Sequence, residues 1–507
     1  MLRLSARSGC NAPATHWLGI RRPYPTSRFV SHQGKGGQLS LRWGPACSAA
    51  TRRPRHRGSA VAVQASVSRA AESGVPTEGR WNTEPIYGPW PRLVEGTLQQ
   101  RAIGAQIGTL VIATSAIQLA NGFFGTFIAL RVVAEDFEAT MAGLVLSSYF
   151  AGFTVGASYS GRLIERFGHI RVYAALAGIV VAATATMPLM EKALPWLALR
   201  TIIGFGCAGV FVTTESWLNA KAAPSERGYV FSIYMIGTFV AIALGQLLIG
   251  YADLEGGTSF NIIVILFAVA LALVSTTRAE PPRMAAPVHV PYLRLVRLAP
   301  VAFAGAALSG LISAAFYALV PVWMRDEGID PESIAMFMLA AVLGGLAFQV
   351  PIGRLSDRLD RRVVLALLGV GLAAAAIALI RLPHTLAVIL PIAGLFGGLM
   401  STLYPVCVAN AHDQLPADHV VAVSSRLILA SGCGSALGPL VGMSLLRRFD
   451  IDGVFYMIAA AALLLAALAV ARSLTSTSPP HLERTFNILP PQPTPLAHDP
   501  AGAAKAA

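Results

Sequence analysis

Three charged side chains lie within long apolar stretches of this 507-residue chain, namely Arg200, Glu215 and Arg426. A charge near the centre of a membrane-spanning helix costs about 2.5–3.5 kcal/mol on insertion scales, so such residues usually face an internal cavity and have a function. An enclosed guanidinium can bind an anionic group, and an enclosed carboxyl can carry a proton. The three residues therefore predict that an apolar, helical protein binds ions or charged solutes in its interior.

Arg200 and Glu215 sit on the same apolar stretch, and each has two interpretations. At about 1.5 Å per residue, a helix would place them about 22 Å apart, so they should not pair with each other. Arg200 either binds an anion or tunes a proton carrier, or it extends its guanidinium to the outer membrane interface. Glu215 either carries a proton or forms a structural ion pair with a loop arginine, the candidates being Arg166, Arg171 and Arg227.

The composition indicates that the elements carrying these residues are embedded in a membrane. Hydrophobic residues make up 54% of the chain and charged residues 13%, with a mean hydropathy of +0.60. Ordinary soluble domains carry about 25% charged residues. The composition therefore excludes both a typical soluble enzyme and a chain that is disordered throughout.

Twelve stretches are long and apolar enough to cross a bilayer, which requires about 20 apolar residues in a helix. They lie at about 107–131, 140–160, 171–190, 196–217, 229–251, 259–277, 299–323, 333–352, 363–381, 386–409, 418–445 and 453–472. We therefore predict an all-α integral membrane protein with twelve transmembrane helices.

The twelve predicted helices form two repeats of six. "GRLIERFGHIRV" at 161–172 matches "GRLSDRLDRRVV" at 353–364, and "FGCAGVFVTTESWLNA" at 205–220 matches "FGGLMSTLYPVCVANA" at 396–411. Parallel repeats of this kind form transporters in which the site lies between the two halves. The predicted parts are six-helix bundles at 105–277 and 299–472, a Pro- and Arg-rich cytoplasmic linker at 278–298, and disordered extensions at 1–104 and 473–507.

The net charge of +13 is concentrated in the N-terminal extension, where residues 1–71 contain twelve Arg and Lys and no acid. This composition is typical of an organelle transit peptide. Alternatively, the true start of the protein lies downstream. Because the remaining charges nearly cancel, the charge does not indicate nucleic-acid binding.

The loops between the predicted helices differ in charge. Thirteen Arg and Lys residues fall on one side, against about six on the other, where acidic turns such as 135–138 also lie. By the positive-inside rule, both termini are cytoplasmic.

A short basic motif recurs in the same loop of each half. We interpret it as a gate: its glycines would let helices pack closely, and its carboxylates would pair with an Arg or a facing helix N-terminus while the cytoplasmic side is closed. The alternative is a solvated basic loop. His169 falls in the same loop and is expected to be solvated. Arg426 is expected to be a gate partner of Glu165 or Glu215 rather than a solute ligand. The gate residues are Gly161, Glu165, Arg166, Gly168 and Arg171 in the first copy, and Gly353, Asp357, Arg358 and Arg361 in the second.

Across residues 105–475 the sequence resembles the major facilitator superfamily, on this repeated loop motif and on a helix 4 pattern R-x-x-x-G-x-G at Arg200, Gly204 and Gly206. The segments "TTESWLN" (213–219) and "RGYVFSIYM" (227–235) look like the YcaD-like branch. The resemblance implies two pseudo-symmetric six-helix bundles and transport by alternating access. The helix 5 antiporter motif lacks its proline, which does not favour drug antiport.

Polar and aromatic residues on several predicted helices are candidates for a central solute cavity. Gln118, Asn121 and Phe124 share roughly one face of the first helix. The remaining candidates are Thr214, Gln246, Tyr317 and Tyr404. A cavity of amides and aromatics suits a small organic solute, although any one aromatic could instead serve helix packing.

No P-loop, HExxH or G-x-S-x-G motif is present, and the cysteines have no metal-binding spacing. We therefore expect no enzymatic activity, cofactor or metal. The predicted partners are a small-molecule solute, a proton or other ion, and the lipid bilayer, and we expect a monomer. The favoured function is proton-coupled secondary transport in a bacterial inner membrane. The alternatives are a transporter-like sensor or scaffold, and an organelle membrane if the tail is a transit peptide.

Overall fold

The computed structural model describes residues 90–223, 226–276, 296, 299–414, 420–449, 452–475, 489, 492 and 494. Twelve helices with the length and hydropathy of membrane spans lie in this part of the chain, which confirms the predicted all-α class. The helices are α1 (Trp90–Ala134), α2 (Ala139–Phe167), α3 (His169–Thr186), α4 (Ala193–Lys221), α5 (Arg227–Leu247), α6 (Thr258–Ser275), α7 (Pro300–Asp326), α8 (Pro331–Arg358), α9 (Arg361–Arg381), α10 (Leu386–Asp413), α11 (Val420–Phe449) and α12 (Gly453–Thr475).

The ends of the two bundles differ from the sequence-based bounds. Helix α1 begins at Trp90, within the segment expected to be disordered, and α12 continues to Thr475. The extra turns of α1 are more polar than a membrane span, so hydropathy alone did not include them in a helix. Apart from Val296, the predicted linker at 278–298 lies outside the described residues, as does the extension before residue 90.

Each half uses the same helix pairings. In the first half α2 packs on α4, α1 on α5 and α3 on α6; in the second half α8 packs on α10, α7 on α11 and α9 on α12. Each pairing therefore recurs six helices later, as the internal repeat predicts. Between the halves, α2 packs on α11 and α5 packs on α8.

Glycines set several close helix contacts, among them those of α2 with α4 and of α8 with α10. A Cβ on Gly204 would overlap the carbonyl oxygen of Tyr149, and a Cβ on Gly397 would overlap that of Ala341. Small residues allow this approach in membrane bundles, where close packing replaces the hydrophobic drive between helices. In α4, Gly204 thereby brings the preceding turn, with Arg200, alongside Tyr149.

Candidate functional site

A cavity of about 150 Å³ lies between the two halves. Its walls come from α1, α2, α4 and α5 on one side and from α7, α10 and α11 on the other. The first half supplies amides, aromatic rings and Arg200. The second half supplies a row of hydroxyls, namely Ser309, Ser313, Ser401, Ser431 and Ser435, with Tyr317 and Tyr404.

Six of the seven residues predicted for a solute cavity line this one, namely Gln118, Asn121, Phe124, Gln246, Tyr317 and Tyr404. Thr214 does not line it. The Thr214 hydroxyl is fully buried and lies 3.0 Å from the hydroxyl of Thr114, between α4 and α1. Thr214 therefore joins two helices of the first half instead of facing the solute space.

Of the three lining amides of the first half, Gln246 and Asn121 have different roles. Gln246 accepts a hydrogen bond from Thr126 (2.7 Å) and donates one to the carbonyl of Gly122 (2.8 Å), so it ties α5 to α1. The Asn121 amide nitrogen has no partner among the described residues. Asn121 is therefore the amide with a donor left for a bound molecule.

Arg200 lines the cavity with its guanidinium between two aromatic rings. Its Cζ lies 4.9 Å from the centroid of the Phe124 ring and 4.7 Å from that of Tyr149. The residue is 4% exposed, so the interpretation in which it extends to the membrane interface is wrong. Such stacking partly compensates a desolvated cation. Within the described residues no carboxylate pairs with it, and its buried Nε has no hydrogen-bond partner.

Glu215 is fully buried on α4, where its described donors are hydroxyls. Tyr234 on α5 donates to one carboxylate oxygen over 3.2 Å, and the Thr494 hydroxyl donates to the other. In the described part of the chain, neither Arg166 nor Arg171 nor Arg227 pairs with it, so the predicted structural ion pair is wrong. Thr494 belongs to the tail expected to be disordered, whose Leu489 and Gln492 are also placed here.

Arg426 is half-buried on α11 and forms no ion pair with any described residue. The predicted partnership with Glu165 or Glu215 is therefore absent from this conformation. Arg426 also does not line the cavity between the halves.

The second copy of the loop motif forms an ion-pair cluster in which Arg361 and Asp413 are buried and Asp357 is exposed. The Arg361 guanidinium lies 2.5 Å from an Asp413 carboxylate oxygen, 3.5 Å from Asp357 and 3.3 Å from the Ser356 hydroxyl. Arg361 is 3% exposed. It thus joins the start of α9 to the ends of α8 and α10. Gly353 is buried on α8, and Arg358 is exposed at the end of that helix.

The first copy is built differently. Glu165 and Arg171 are exposed, and among the described residues neither forms an ion pair, while Arg166 lies over the Phe167 ring at 5.3 Å. A Cβ on Gly161 would meet no neighbour, so the close packing expected there is wrong. Gly168, with φ of 82°, makes the left-handed turn between α2 and α3.

His169 holds this first copy in place instead. Its ring is 2% exposed, so the expectation of a solvated histidine is wrong. The His169 Nε2 is hydrogen-bonded to the Ser216 hydroxyl at 2.9 Å, and the ring packs on Trp217 with centroids 6.1 Å apart. A neutral contact between α3 and α4 therefore replaces the ion pairs found in the second copy.

Sequence reasoning missed three groups at these sites. Tyr149 and the hydroxyl row carry no motif, although Ser309 and Ser313 are four residues apart and so share a helix face. Asp413 ends α10 among basic loops, and an acid in that place was a usable signal. The buried residues of the C-terminal tail had no signal in composition. The described residues contain no group of three or more His, Cys, Asp or Glu placed to hold a metal.

Comparisons with known proteins agree with this geometry. The family model of the Major Facilitator Superfamily matches residues 110–302 and 302–498. The chain is 31% identical, over 368 residues, to the MFS-type transporter YcaD of Escherichia coli O45:K1 (strain S88 / ExPEC), covering 71% of this chain and 92% of that protein.

Solved structures share the fold. The nucleoside transporter NupG superposes with a TM-score of 0.64 at 13% identity, covering 72% of this chain and 98% of that one. A bacterial homologue of the human lysosomal transporter Spinster, in an inward-facing and unoccupied conformation, gives 0.59 at 16% identity, covering 73% and 96%. With its twelve helices, repeated half and matching family model, the chain belongs to the major facilitator superfamily of multi-pass membrane transporters.

Proposed function

We propose that the protein is a secondary active transporter of a small organic solute, coupled to protons and working by alternating access. The observation that carries this proposal is the cavity to which both halves contribute polar groups. If the halves rock about that cavity, a solute held between them is exposed to each side of the membrane in turn.

Glu215 is the proposed proton carrier. It is fully buried on α4, where Tyr234 and Thr494 donate hydrogen bonds to it. A buried carboxyl is costly to ionise, so loading and release of a proton can follow a change in its surroundings. Coupling then arises because solute and proton favour the two facing states differently.

We also propose a bacterial inner membrane location with both termini cytoplasmic and a monomeric transport unit. The excess of Arg and Lys on one set of loops supports the orientation. The bacterial relative supports the membrane.

The test uses proteoliposomes loaded with a pH-sensitive dye and an imposed proton gradient. Lactate, mandelate, gluconate, glucose and uridine are added one at a time. We expect at least one to move protons with it, and Glu215→Gln to abolish that proton movement while solute exchange continues. Glu255→Gln, an exposed carboxylate in the α5–α6 loop, is the matched control.

Two results would contradict the proposal. Unchanged proton movement in Glu215→Gln would remove Glu215 as the carrier. Binding of a probe without any flux would favour a transporter-like sensor or scaffold instead.

A further inference from the structure

The charge balance of the cavity is unusual. Arg200 is the one Arg, Lys or His among its described lining residues, and none of those residues is Asp or Glu. Arg200 is nonetheless only 4% exposed. An unpaired buried charge is strongly unfavourable, and its usual compensation is a counter-charge at hydrogen-bond distance.

The rings of Phe124 and Tyr149 flank the guanidinium at similar distances, 4.9 and 4.7 Å from its Cζ to their centroids. A planar guanidinium carries its N–H donors around its edge, so packing over its faces leaves that edge free to bind. The unpartnered Nε shows that this donor capacity is not consumed within the described residues. The Asn121 amide nitrogen on the neighbouring helix is a second unused donor.

From these observations we infer that Arg200 anchors a carboxylate of the transported solute, which is a small organic monoanion. One fixed positive charge matches one negative charge, whereas a phosphate monoester would leave its second charge unbalanced. Ser309, Ser313 and Ser435 line the same cavity from the other half, where their hydroxyls suit a hydroxyl-bearing solute. The inference rests on the proposed transport function and gives its solute class.

A binding experiment on the purified full-length protein tests this inference. Thermal unfolding is followed with lactate, mandelate and gluconate, each compared with its neutral amide, and with inorganic phosphate. At least one monocarboxylate is expected to raise Tm, while its amide does not and phosphate has less effect. Arg200→Gln should weaken that acid's binding by about 10- to 100-fold, because a charge-assisted bond is lost.

Arg200→Lys retains the charge without the planar edge and should bind the acid with intermediate affinity. This variant keeps the test valid if Arg200→Gln does not fold. Arg381→Gln, exposed at the end of α9, is the matched control and should bind as the wild type does. The inference is overturned if the amides bind as well as the acids, if phosphate binds best, if Arg200→Gln retains affinity, or if no acid binds. Flux of an uncharged solute that is indifferent to Arg200 would overturn it while leaving the transport proposal intact.

A second readout needs no solute. In a chain whose native cysteines are replaced, Ser313→Cys places a thiol in the cavity wall. An anionic methanethiosulfonate should modify this thiol faster than a cationic one of similar size, and Arg200→Gln should remove the preference. Equal rates with Arg200 present would contradict a positive cavity.

Discussion

The two copies of the loop motif have similar sequences but different contacts. In the second half, Arg361 is buried and bridges Asp357 and Asp413. At the corresponding place in the first half stands His169, which forms a neutral hydrogen bond to Ser216. The same difference extends to the helix starts. Asp330 and Asp360 cap α8 and α9 with their side chains, whereas Glu138 and Gly168 at the equivalent starts of α2 and α3 make no side-chain cap bond.

This difference indicates that the helices of the second half are held to one another more strongly than the equivalent helices of the first half. An ion pair removed from water is costly to break one partner at a time, whereas a neutral hydrogen bond contributes little net free energy. The second half is therefore expected to remain rigid while the contact between α3 and α4 in the first half opens. The following predictions test that asymmetry.

Loss of Arg361 should have the largest effect. Arg361→Gln leaves Asp413 buried without its cation, so the free energy of unfolding should fall by about 3–5 kcal/mol. The measurement is SDS titration in mixed micelles. Arg358→Gln, an exposed neighbour, should change the free energy little, and an equal loss in both variants would contradict the buried cluster.

Moving the ion pair into the first half should come next. Gly152 in α2 lies against Thr201 in α4, and Gly344 in α8, 192 residues later, lies against Gly394 in α10. The structural offset from α4 to α10 is therefore 193 residues and not the 191 of the sequence match between 205–220 and 396–411, so Ala220 corresponds to Asp413. His169→Arg alone should cost about 2–4 kcal/mol as an unpaired buried charge, and adding Ala220→Asp should recover much of that loss. Double-mutant-cycle coupling near zero would show that the halves are not equivalent here.

Ser216→Ala should have a smaller effect. It removes the hydrogen bond to His169 and should lower the free energy of unfolding by about 0.5–1.5 kcal/mol. In the same titration, Ser232→Ala on the exposed face of α5 is the control. A loss as large as that of Arg361→Gln would remove the asymmetry.

The smallest effect is expected at the α8 cap. The Ser333 amide and hydroxyl hold the pKa of the Asp330 carboxyl below its ordinary value. The cap therefore contributes fully to the free energy of unfolding above the pKa that Asp330 has in the unfolded chain. That contribution is lost as pH falls through the lower pKa of Asp330 in the folded protein. Asp330→Ala should cost up to about 1 kcal/mol at neutral pH and flatten this acid dependence. The titration is repeated at pH 7 and in the acid range, and an unchanged slope would contradict the cap.

The fold was predictable because its signals are long and repeated. Twelve apolar stretches and one period of about 192 residues give the helices and their pairing. The helix 4 pattern marked Gly204 but predicted no contact for it; in the structure Gly204 brings α4 against α2 beside Tyr149.

The missed features depend on partners that are distant in the sequence. His169 was expected in solvent because its loop is polar, and its burial comes from Ser216 and Trp217 on α4. Thr214 was assigned to the cavity because it lies on a cavity-lining helix. Its side chain instead lies on the face of α4 that meets α1, where its hydroxyl contacts that of Thr114. The contact between Glu215 and Thr494 joins residues 279 positions apart, and no local pattern predicts it.

Proton movement driven by a monocarboxylate in proteoliposomes tests the central claim most directly. With mandelate outside and dye inside, wild-type vesicles should acidify faster than protein-free vesicles, and mandelamide should have no effect. Arg200→Gln should lose the response through the solute and Glu215→Gln through the proton. Acidification that persists unchanged in both variants would contradict the account.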